Sequence, residues 1–212
     1  MNQSSKPQRH TIHHLSSIQE LIGITSQFPQ RYLLIGSGAR LQFADPVQAV
    51  NDVIAYLHSQ GSQPTLIIFG GDTADINHPD LGYLVQQVKA KLIDRVKVLS
   101  VQSWSEYCPF VDYVFQCPPT FCERSNKELW GGVQNGAPIA ATRYYLNDHL
   151  QKLLNTLICI GGGEIAKQEL AYVIEQGVLN HYYIRAEVKH HREVSLYGPT
   201  YDWYNTLKLM NY

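Results

Sequence analysis

The chain lacks an excess of charge of either sign. Its 17 lysine and arginine residues nearly balance its 18 aspartate and glutamate residues, which leaves a formal net charge of -1. A nucleic-acid backbone is usually bound through a concentrated positive field, and this composition supplies none. Nucleic acid is therefore not expected as the main partner.

Long hydrophobic runs are also lacking. No stretch approaches the ~18 uninterrupted apolar residues of a membrane-spanning helix, and the polar first segment has no apolar core like that of a signal peptide. We therefore expect a cytoplasmic protein without a membrane partner. The length of 212 residues suits one α/β domain, since single domains of this class commonly reach about 200–250 residues.

Cysteine is scarce, and its spacing does not favour a metal site. Cys159 lies within an apolar run and is expected to be a small buried side chain, whereas Cys108, Cys117 and Cys122 fall within one long connection. A zinc site that combines these three with His149 is conceivable, but no CxxC spacing supports it, so we expect no bound metal. A disulfide framework is not expected in a chain of this length without an export signal.

Glycine, in contrast, is concentrated at the ends of three hydrophobic runs. Each run has the unbroken apolar pattern of a strand that is covered on both faces. Each turn removes side chains where a ligand can approach, although glycine also serves merely to make a turn tight. Because ligands of doubly wound folds bind beyond the carboxyl ends of the strands, the three turns predict one crevice. The turns are Gly36-Ser37-Gly38, Gly70-Gly71-Asp72-Thr73 and Gly161-Gly162-Gly163-Glu164.

Strands and capped helices alternate around these turns. We predict strands at residues 31–35, 65–69, 96–101, 113–115, 157–160 and 182–188, and helices that begin near Ser17, Pro46, Pro79, Pro138 and Glu164. Gly177 is placed to end the last helix in a left-handed conformation. The alternation predicts an α/β fold, a Rossmann-like, doubly wound and mainly parallel sheet of about five to six strands with helices on both faces.

Three segments are predicted from this pattern. Residues 1–30 form an N-terminal extension with a short helix, and residues 31–190 form the Rossmann-like domain. Residues 191–212 form an aromatic-rich tail that packs on the domain or on a partner subunit, and a homo-oligomer is expected. The long connection at residues 102–136 is rich in aromatic side chains, which favours an ordered cover over the crevice.

The glycine turns favour an anionic ligand. A strand that enters a helix through such a turn offers unpaired amides at the positive end of the helix dipole, which suits a phosphate. Hydroxyl groups of Ser37 and Thr73 and the guanidinium of Arg40 are candidate phosphate contacts, although each can equally be an ordinary turn or surface residue. Neither GxGxxG nor GxxxxGK[ST] occurs in the sequence, so neither motif-defined dinucleotide domain nor P-loop NTPase is indicated.

Two carboxylates at the turns are candidate catalytic groups, Asp72 and Glu164. A carboxylate beside a crevice can act as an acid or base, orient a ribose hydroxyl or attack an anomeric carbon. Alternatively, Glu164 stabilises the start of its helix through the dipole, and Asp72 caps its turn. Both interpretations stay open at the level of the sequence.

The motifs Phe69-Gly70-Gly71-Asp72 and Ile160-Gly161-Gly162-Gly163-Glu164, with Glu169 downstream, resemble the layout of the SLOG superfamily, which includes the lysine-decarboxylase-like LOG proteins. In LOG enzymes the second-strand glycines and a PGGxGTxxE segment build a nucleotide site for hydrolysis of the N-glycosidic bond of cytokinin nucleotides. The resemblance spans residues 31–188 in order of elements and implies nucleotide binding. Here Ile160 replaces the proline, Glu164 begins the pair that replaces Gly-Thr, and the glutamate is displaced by one position to Glu169.

Three functions are compatible with these features. The first is binding of a nucleotide or nucleotide sugar, with cleavage or transfer of an N-glycosidic bond if the protein is an enzyme. The second is a non-catalytic sensor of a nucleotide signal. The third is an oligomeric interaction protein whose crevice is vestigial. No cofactor is expected besides the phosphorylated ligand itself.

Overall fold

A parallel sheet of seven strands organises the chain. The computed structural model describes residues 11–36, 41–70, 78–102, 107–116, 133–134, 137–138, 151–177 and 179–190. All neighbouring strands of the sheet are parallel. From one edge to the other they are β1 (His13–Leu15), β6 (Tyr113–Gln116), β5 (Val96–Gln102), β4 (Thr65–Phe69), β2 (Gln30–Gly36), β9 (Thr156–Ile160) and β10 (His181–Ile184).

Four helices and two short ribbons complete the described part of the chain. The helices are α1 (Ile18–Ser26), α2 (Pro46–Ser59), α3 (Leu81–Lys91) and α4 (Glu164–Gln176), and a 3-10 helix spans Gln151–Leu153. Antiparallel pairing joins β3 (Leu41–Phe43) to β11 (Val188–His190), and β7 (Val133–Gln134) to β8 (Ala137–Pro138). None of the helices in the described ranges combines the length and apolarity needed to cross a membrane.

The fold is α/β, Rossmann-like and doubly wound, as the alternation of elements predicts. Helices α2 and α3 cover one face of the sheet, where Val53, Leu57 and Leu84 are fully buried. Helices α1 and α4 cover the other face through Leu21 and Leu170. Burial of one such side chain stabilises the fold by roughly 1.5–3 kcal/mol, so both faces contribute to a two-sided core.

Within the described residues the sheet has seven strands, whereas the sequence predicts about five to six. The additional strand is β1, which pairs with β6 at one edge through His13–Tyr113 and its neighbours. The N-terminal segment therefore contributes a strand as well as the predicted short helix. Three residues are too few to show a periodic pattern, so this strand is specified by its pairing rather than by its own sequence.

Several helix boundaries follow directly from sequence signals. Ser17 caps α1 by accepting the N–H of Glu20 at 3.2 Å. Asp45 caps α2, and Pro46 is the first residue of that helix, where its missing N–H leaves no hydrogen bond unmade. Gly177 ends α4 in the left-handed region with φ of 60°. These three predictions are confirmed.

Other boundaries require correction. Pro79 does not open α3, because the helix begins after Asp80, whose side chain caps it by accepting the N–H of Tyr83 at 3.1 Å. At the start of α1 the Glu20 carboxylate accepts the N–H of Ser16 at 2.6 Å. It also accepts a hydrogen bond from the backbone of Ser17, so it returns the bond that the Ser17 side chain makes to its own N–H.

The predicted strand at residues 182–188 is divided in two. Its first part is β10, the last strand of the main sheet, and its end becomes β11, which leaves the sheet to pair with β3. Pro138 does not open a helix, because it pairs with Val133 in the ribbon of β7 and β8. The rest of that predicted helix, residues 139–150, lies outside the described residues, as do residues 117–132 of the predicted cover and the tail at 191–212.

The apolar stripe predicted for α2 is correct at Val50, Ile54 and Leu57, which lie in or against the core, and wrong at Val47. The sequence places Val47, Val50, Ile54 and Leu57 on the buried face, but Val47 is 61% exposed. Val53 is fully buried instead, beside Val50 and Leu57.

Candidate ligand-binding crevice

Two of the three glycine turns meet where the order of the strands reverses. Strands β4, β5 and β6 follow β2 in one direction along the sheet, whereas β9 and β10 lie on its other side. Gly36 at the end of β2 is in register with Ile160 at the end of β9. In open α/β sheets, ligands bind outside the carboxyl ends of the strands at this switch point.

The backbones of these two turns are in close contact. A Cβ atom at Gly36 would lie 2.6 Å from the carbonyl oxygen of Ile160. A Cβ atom at Gly162, which has φ of +97°, would lie 3.2 Å from the carbonyl carbon of Gly36 and 2.5 Å from Cβ of Ala166. Both positions therefore exclude any larger residue, and the glycines permit the two turns to touch.

The remaining glycines of the third turn contact the ribbon of β3 and β11. A Cβ atom at Gly161 would lie 3.0 Å from Cγ1 of Val188 in β11 and 2.8 Å from the carbonyl oxygen of Ala186 just before it, and one at Gly163 would lie 2.7 Å from Cδ1 of Leu41 in β3. The ribbon thus lies directly against the turn after β9. We give the name carboxyl-edge crevice to the region beside the turns at residues 36, 70 and 161–163, where the sequence predicts a crevice.

Gly70 differs from the other glycines of the crevice. It follows β4, which pairs with β2, so it lies at the same edge of the sheet as Gly36. Among the described residues, no heavy atom lies within 4 Å of where its Cβ would be. Its small size is therefore not explained by packing against the described part of the chain.

Helix α4 begins at the switch point without a side-chain cap. Its cap residue is Gly163, which is extended with φ of -100° and forms no side-chain hydrogen bond to the helix. Glu164 is the first residue of the helix, and the position of its side chain lies outside the described part of the structure. The amides of this first turn carry the positive end of the helix dipole, which favours an anion.

Most of the other predicted contacts lie outside the described residues. They occupy two segments, residues 37–40 and 71–77, which connect the ends of β2 and β4 to the elements that follow. Their roles therefore stay predictions. The residues concerned are Ser37, Gly38, Arg40, Gly71, Asp72 and Thr73.

One carboxylate near the crevice was not predicted from the sequence. Asp80 is buried and precedes Leu81, whose Cδ1 lies 3.4 Å from the Cβ position of Gly36. Its Oδ1 accepts the N–H of Tyr83, so the capping of α3 accounts for an acidic residue at this position. An aspartate before an apolar helical run is the signal that identifies it.

Cys159 is a buried thiol behind the third turn. It is fully buried in β9, and its Sγ donates to the carbonyl oxygen of Gly161 at 3.7 Å. Burial raises the pKa of the thiol well above its ordinary value, and the negative charge of Glu169 raises this pKa further. The thiol is therefore protonated at neutral pH and is a packing residue, as its place in an apolar run predicts.

Metal ligands are not grouped in the described ranges. No three side chains of the types His, Cys, Asp and Glu come together there as a metal site. Three of the four members of the zinc site considered from the sequence, Cys117, Cys122 and His149, lie outside those ranges.

A groove of about 730 Å³ lies at the opposite, amino-terminal ends of β9 and β10. It is lined in part by Asn155, Thr156, His181 and Tyr182, which begin or immediately precede these strands. A parallel sheet has its strand beginnings and strand ends on opposite edges. This groove is therefore separate from the carboxyl-edge crevice, and none of the predicted site residues lines it.

Comparison with known proteins gives little similarity. No protein-family model matches the chain, and no curated protein matches it. The crystal structure of TM1055, a structural genomics target, is similar at 11% sequence identity with a TM-score of 0.42, and the match covers 70% of each chain. A similarity this distant bears on neither the ligand nor the activity.

Proposed function

We propose that this protein binds a nucleotide or nucleotide sugar in the carboxyl-edge crevice, as a member of the SLOG superfamily. The observation that supports this proposal is the contact between the turns of Gly36 and Gly162 at the switch point of the sheet. The uncapped start of α4 lies at the same place. Backbone amides and the helix dipole there suit the phosphate group of such a ligand.

The length of the crevice favours a nucleotide over a free phosphate. Strands β9, β2 and β4 are adjacent, and neighbouring strands lie about 4.8 Å apart. The start of α4 and the open position at Gly70 are therefore separated by roughly 10 Å along the sheet edge. A phosphate at α4 does not reach Gly70, whereas the sugar or base attached to it does.

If the protein is an enzyme, the reaction is cleavage or transfer of the N-glycosidic bond. That bond breaks through a transition state with positive charge on the sugar ring, which a carboxylate stabilises directly or by activating water. Glu164 and Asp72 are the carboxylates that follow the turns, and one of them would take this role. If neither does so, the same crevice serves a non-catalytic sensor of a nucleotide signal.

Ligand-induced stabilisation tests the proposal. A nucleotide present at a hundred times its Kd stabilises the native state by about 2.7 kcal/mol, which raises the unfolding temperature of a chain of this size by roughly 5–11 °C. Because the phosphate supplies the contact with the start of α4, we expect a larger shift with nucleoside monophosphates or nucleotide sugars than with the corresponding nucleosides. If no nucleotide raises the unfolding temperature, the proposal is wrong and the interaction-protein alternative is favoured.

Two matched glycine substitutions locate the site. Gly70→Ala adds a methyl group where the described residues leave space, so we expect unchanged folding and a reduced nucleotide-induced shift. Gly23→Ala is the control, because Gly23 also has no atom within 4 Å of its Cβ position and belongs to α1, which contributes none of the three glycine turns. Equal nucleotide binding by both variants would remove Gly70 from the site.

Product analysis then separates the enzyme from the sensor. Nucleoside monophosphates are incubated with the protein, and release of the free base is followed by chromatography. Hydrolysis that is abolished in Glu164→Gln or Asp72→Asn, with binding retained, identifies the catalytic carboxylate. Binding without base release by the wild-type protein contradicts the hydrolase and supports the sensor.

A further inference from the structure

The groove at the amino-terminal ends of β9 and β10, here called the amino-edge groove, has the size of a small-molecule site. Its volume of about 730 Å³ is within the range of about 300–1,000 Å³ that is usual for such sites. Its walls come from four elements, one of which is β9 through Thr156. Tyr56 belongs to α2, Tyr182 to β10, and Val173 to α4.

An ordered pair of tyrosine rings forms one wall. The rings of Tyr56 and Tyr182 are stacked, with centroids 4.2 Å apart and an interplanar angle of 22°. The ring of Tyr56 also makes an edge-on contact with the ring of Tyr32, with centroids 6.0 Å apart. Tyr56 forms a hydrogen bond with the side chain of Thr156 as well. Tyr182 is nevertheless 44% exposed, so its ring offers a fixed aromatic surface to a ligand.

Two amide side chains supply hydrogen-bonding groups. The side-chain Oδ1 of Asn155 accepts the backbone N–H of Arg31 at 2.7 Å, and the backbone N–H of Asn155 donates to the carbonyl oxygen of Arg31 at 2.9 Å. These bonds fix the orientation of the Asn155 amide and leave its Nδ2 group to donate elsewhere. The backbone carbonyl oxygen of Asn180 accepts the N–H of Leu157 at 2.8 Å. Asn180 is itself exposed and lines the groove.

Charge is absent from the described lining of the groove. Its residues are aromatic, aliphatic, amide, hydroxyl and imidazole in type, together with one glycine, and none is Asp, Glu, Lys or Arg. A charged ligand would lose hydration there without gaining an ionic partner. A neutral ligand with hydroxyl groups would find both an aromatic surface and amide partners.

We infer that the amino-edge groove binds an uncharged sugar ring, carried either by a free glycoside or by a nucleoside. The apolar face of the ring lies against Tyr182, and its hydroxyl groups accept from or donate to the amides of Asn155 and Asn180. This site is on the opposite edge of the sheet from the proposed phosphate site. It stands whether or not the carboxyl-edge crevice binds a nucleotide.

Titration followed by two-dimensional NMR tests the inference. Methyl glycosides and disaccharides form one arm, and nucleosides form the other. We expect saturable shifts of the side-chain amide signals of Asn155 and Asn180 in at least one arm, which also identifies the source of the sugar ring. If neither arm gives saturable shifts, or if the shifts are confined to residues of the carboxyl-edge crevice, the inference is wrong.

Substitutions at the aromatic wall give the second readout. Tyr182→Ala is expected to weaken binding about tenfold, since it removes the aromatic contact, whereas Tyr182→Phe retains it. Tyr107→Ala is the matched control, because Tyr107 is 42% exposed and contacts His14 near the other edge of the sheet. Equal affinity of the Tyr182→Ala and wild-type proteins would overturn the assignment, as would a phosphorylated sugar that binds this groove more tightly than its neutral form.

Discussion

Replacing Gly36 with alanine tests the contact on which the proposed crevice depends. The added Cβ would lie 2.6 Å from the carbonyl oxygen of Ile160 and 3.2 Å from Cγ2 of the same residue. Gly36 is not among the residues of positive φ, so backbone strain is not the cause of the expected effect. The clash with a neighbouring strand is the cause.

The clash is difficult to relieve. The oxygen belongs to the backbone of β9, which is paired with β2 on one side and with β10 on the other. Overpacking of this kind typically costs about 1–3 kcal/mol, and we expect the upper part of that range because a backbone atom must move. For a chain of this size, about 3 kcal/mol lowers the unfolding temperature by roughly 6–12 °C.

Urea denaturation followed by circular dichroism measures the effect. Gly23→Ala is again the control, and it is expected to stabilise the protein by up to about 1 kcal/mol, because alanine is favoured over glycine in an exposed helix position. A Gly36→Ala protein as stable as the wild type would show that the ends of β2 and β9 are farther apart than described. The contact at the switch point would then no longer support the proposed function.

Three further measurements test the core. Asp112→Ala should reduce stability by about 3–5 kcal/mol in urea denaturation, because the buried carboxylate pairs with Lys89 at 2.7 Å; a loss below about 1 kcal/mol would refute that pairing. Burial raises the pKa of Tyr32 and of Tyr56, so their stabilising contribution is complete below pH ~10 and is lost as the pH rises through the folded pKa values. Stability measured over that alkaline range should fall, with ultraviolet absorbance reporting phenolate formation, and a constant stability would contradict the assignment. Cys159 should be labelled by a maleimide only on unfolding, and rapid labelling of the native protein would contradict its burial.

The main elements of the fold were predictable because their signals are local. Strand β4 coincides with the predicted residues 65–69, since an unbroken apolar run between polar segments allows no other register. Helix α2 begins at Pro46 because Asp45 and the proline act within the first turn. In each case the residues that determine the element lie inside it or next to it.

The short strands were not predictable, because the residues that determine them lie far apart in the sequence. Strands β3 and β11 have three residues each, and β11 begins inside the strand that the sequence predicts at residues 182–188. Their pairing joins Gln42 to Lys189. These residues are far apart in the sequence, and no local sequence pattern indicates that they pair. The wall that this ribbon forms beside Gly161 and Gly163 is therefore a tertiary feature.

The candidate site was predictable in position but not in detail. Parallel strands end at one edge of a sheet, so turns after β2, β4 and β9 were expected to lie near one another. The sequence does not show which glycines in these turns are required by packing. Only interatomic distances distinguish Gly36, which has a backbone oxygen 2.6 Å from its Cβ position, from Gly70, which has no described atom within 4 Å.

This distinction changes what the glycines imply about function. Gly36 and Gly162 are required by packing, and they would be required equally in a protein that binds nothing. Their contact gives the crevice its shape, but it does not by itself identify an occupant. Gly70 has no such requirement among the described residues, and a glycine without one lowers the stability of the chain through the entropy of the unfolded state. Gly70→Ala is expected to stabilise the protein by about 0.4–1 kcal/mol. If it also abolishes nucleotide binding, ligand binding explains why the chain keeps a destabilising glycine at this position. Stabilisation with undiminished binding would rule out a ligand contact as the reason for the glycine at position 70.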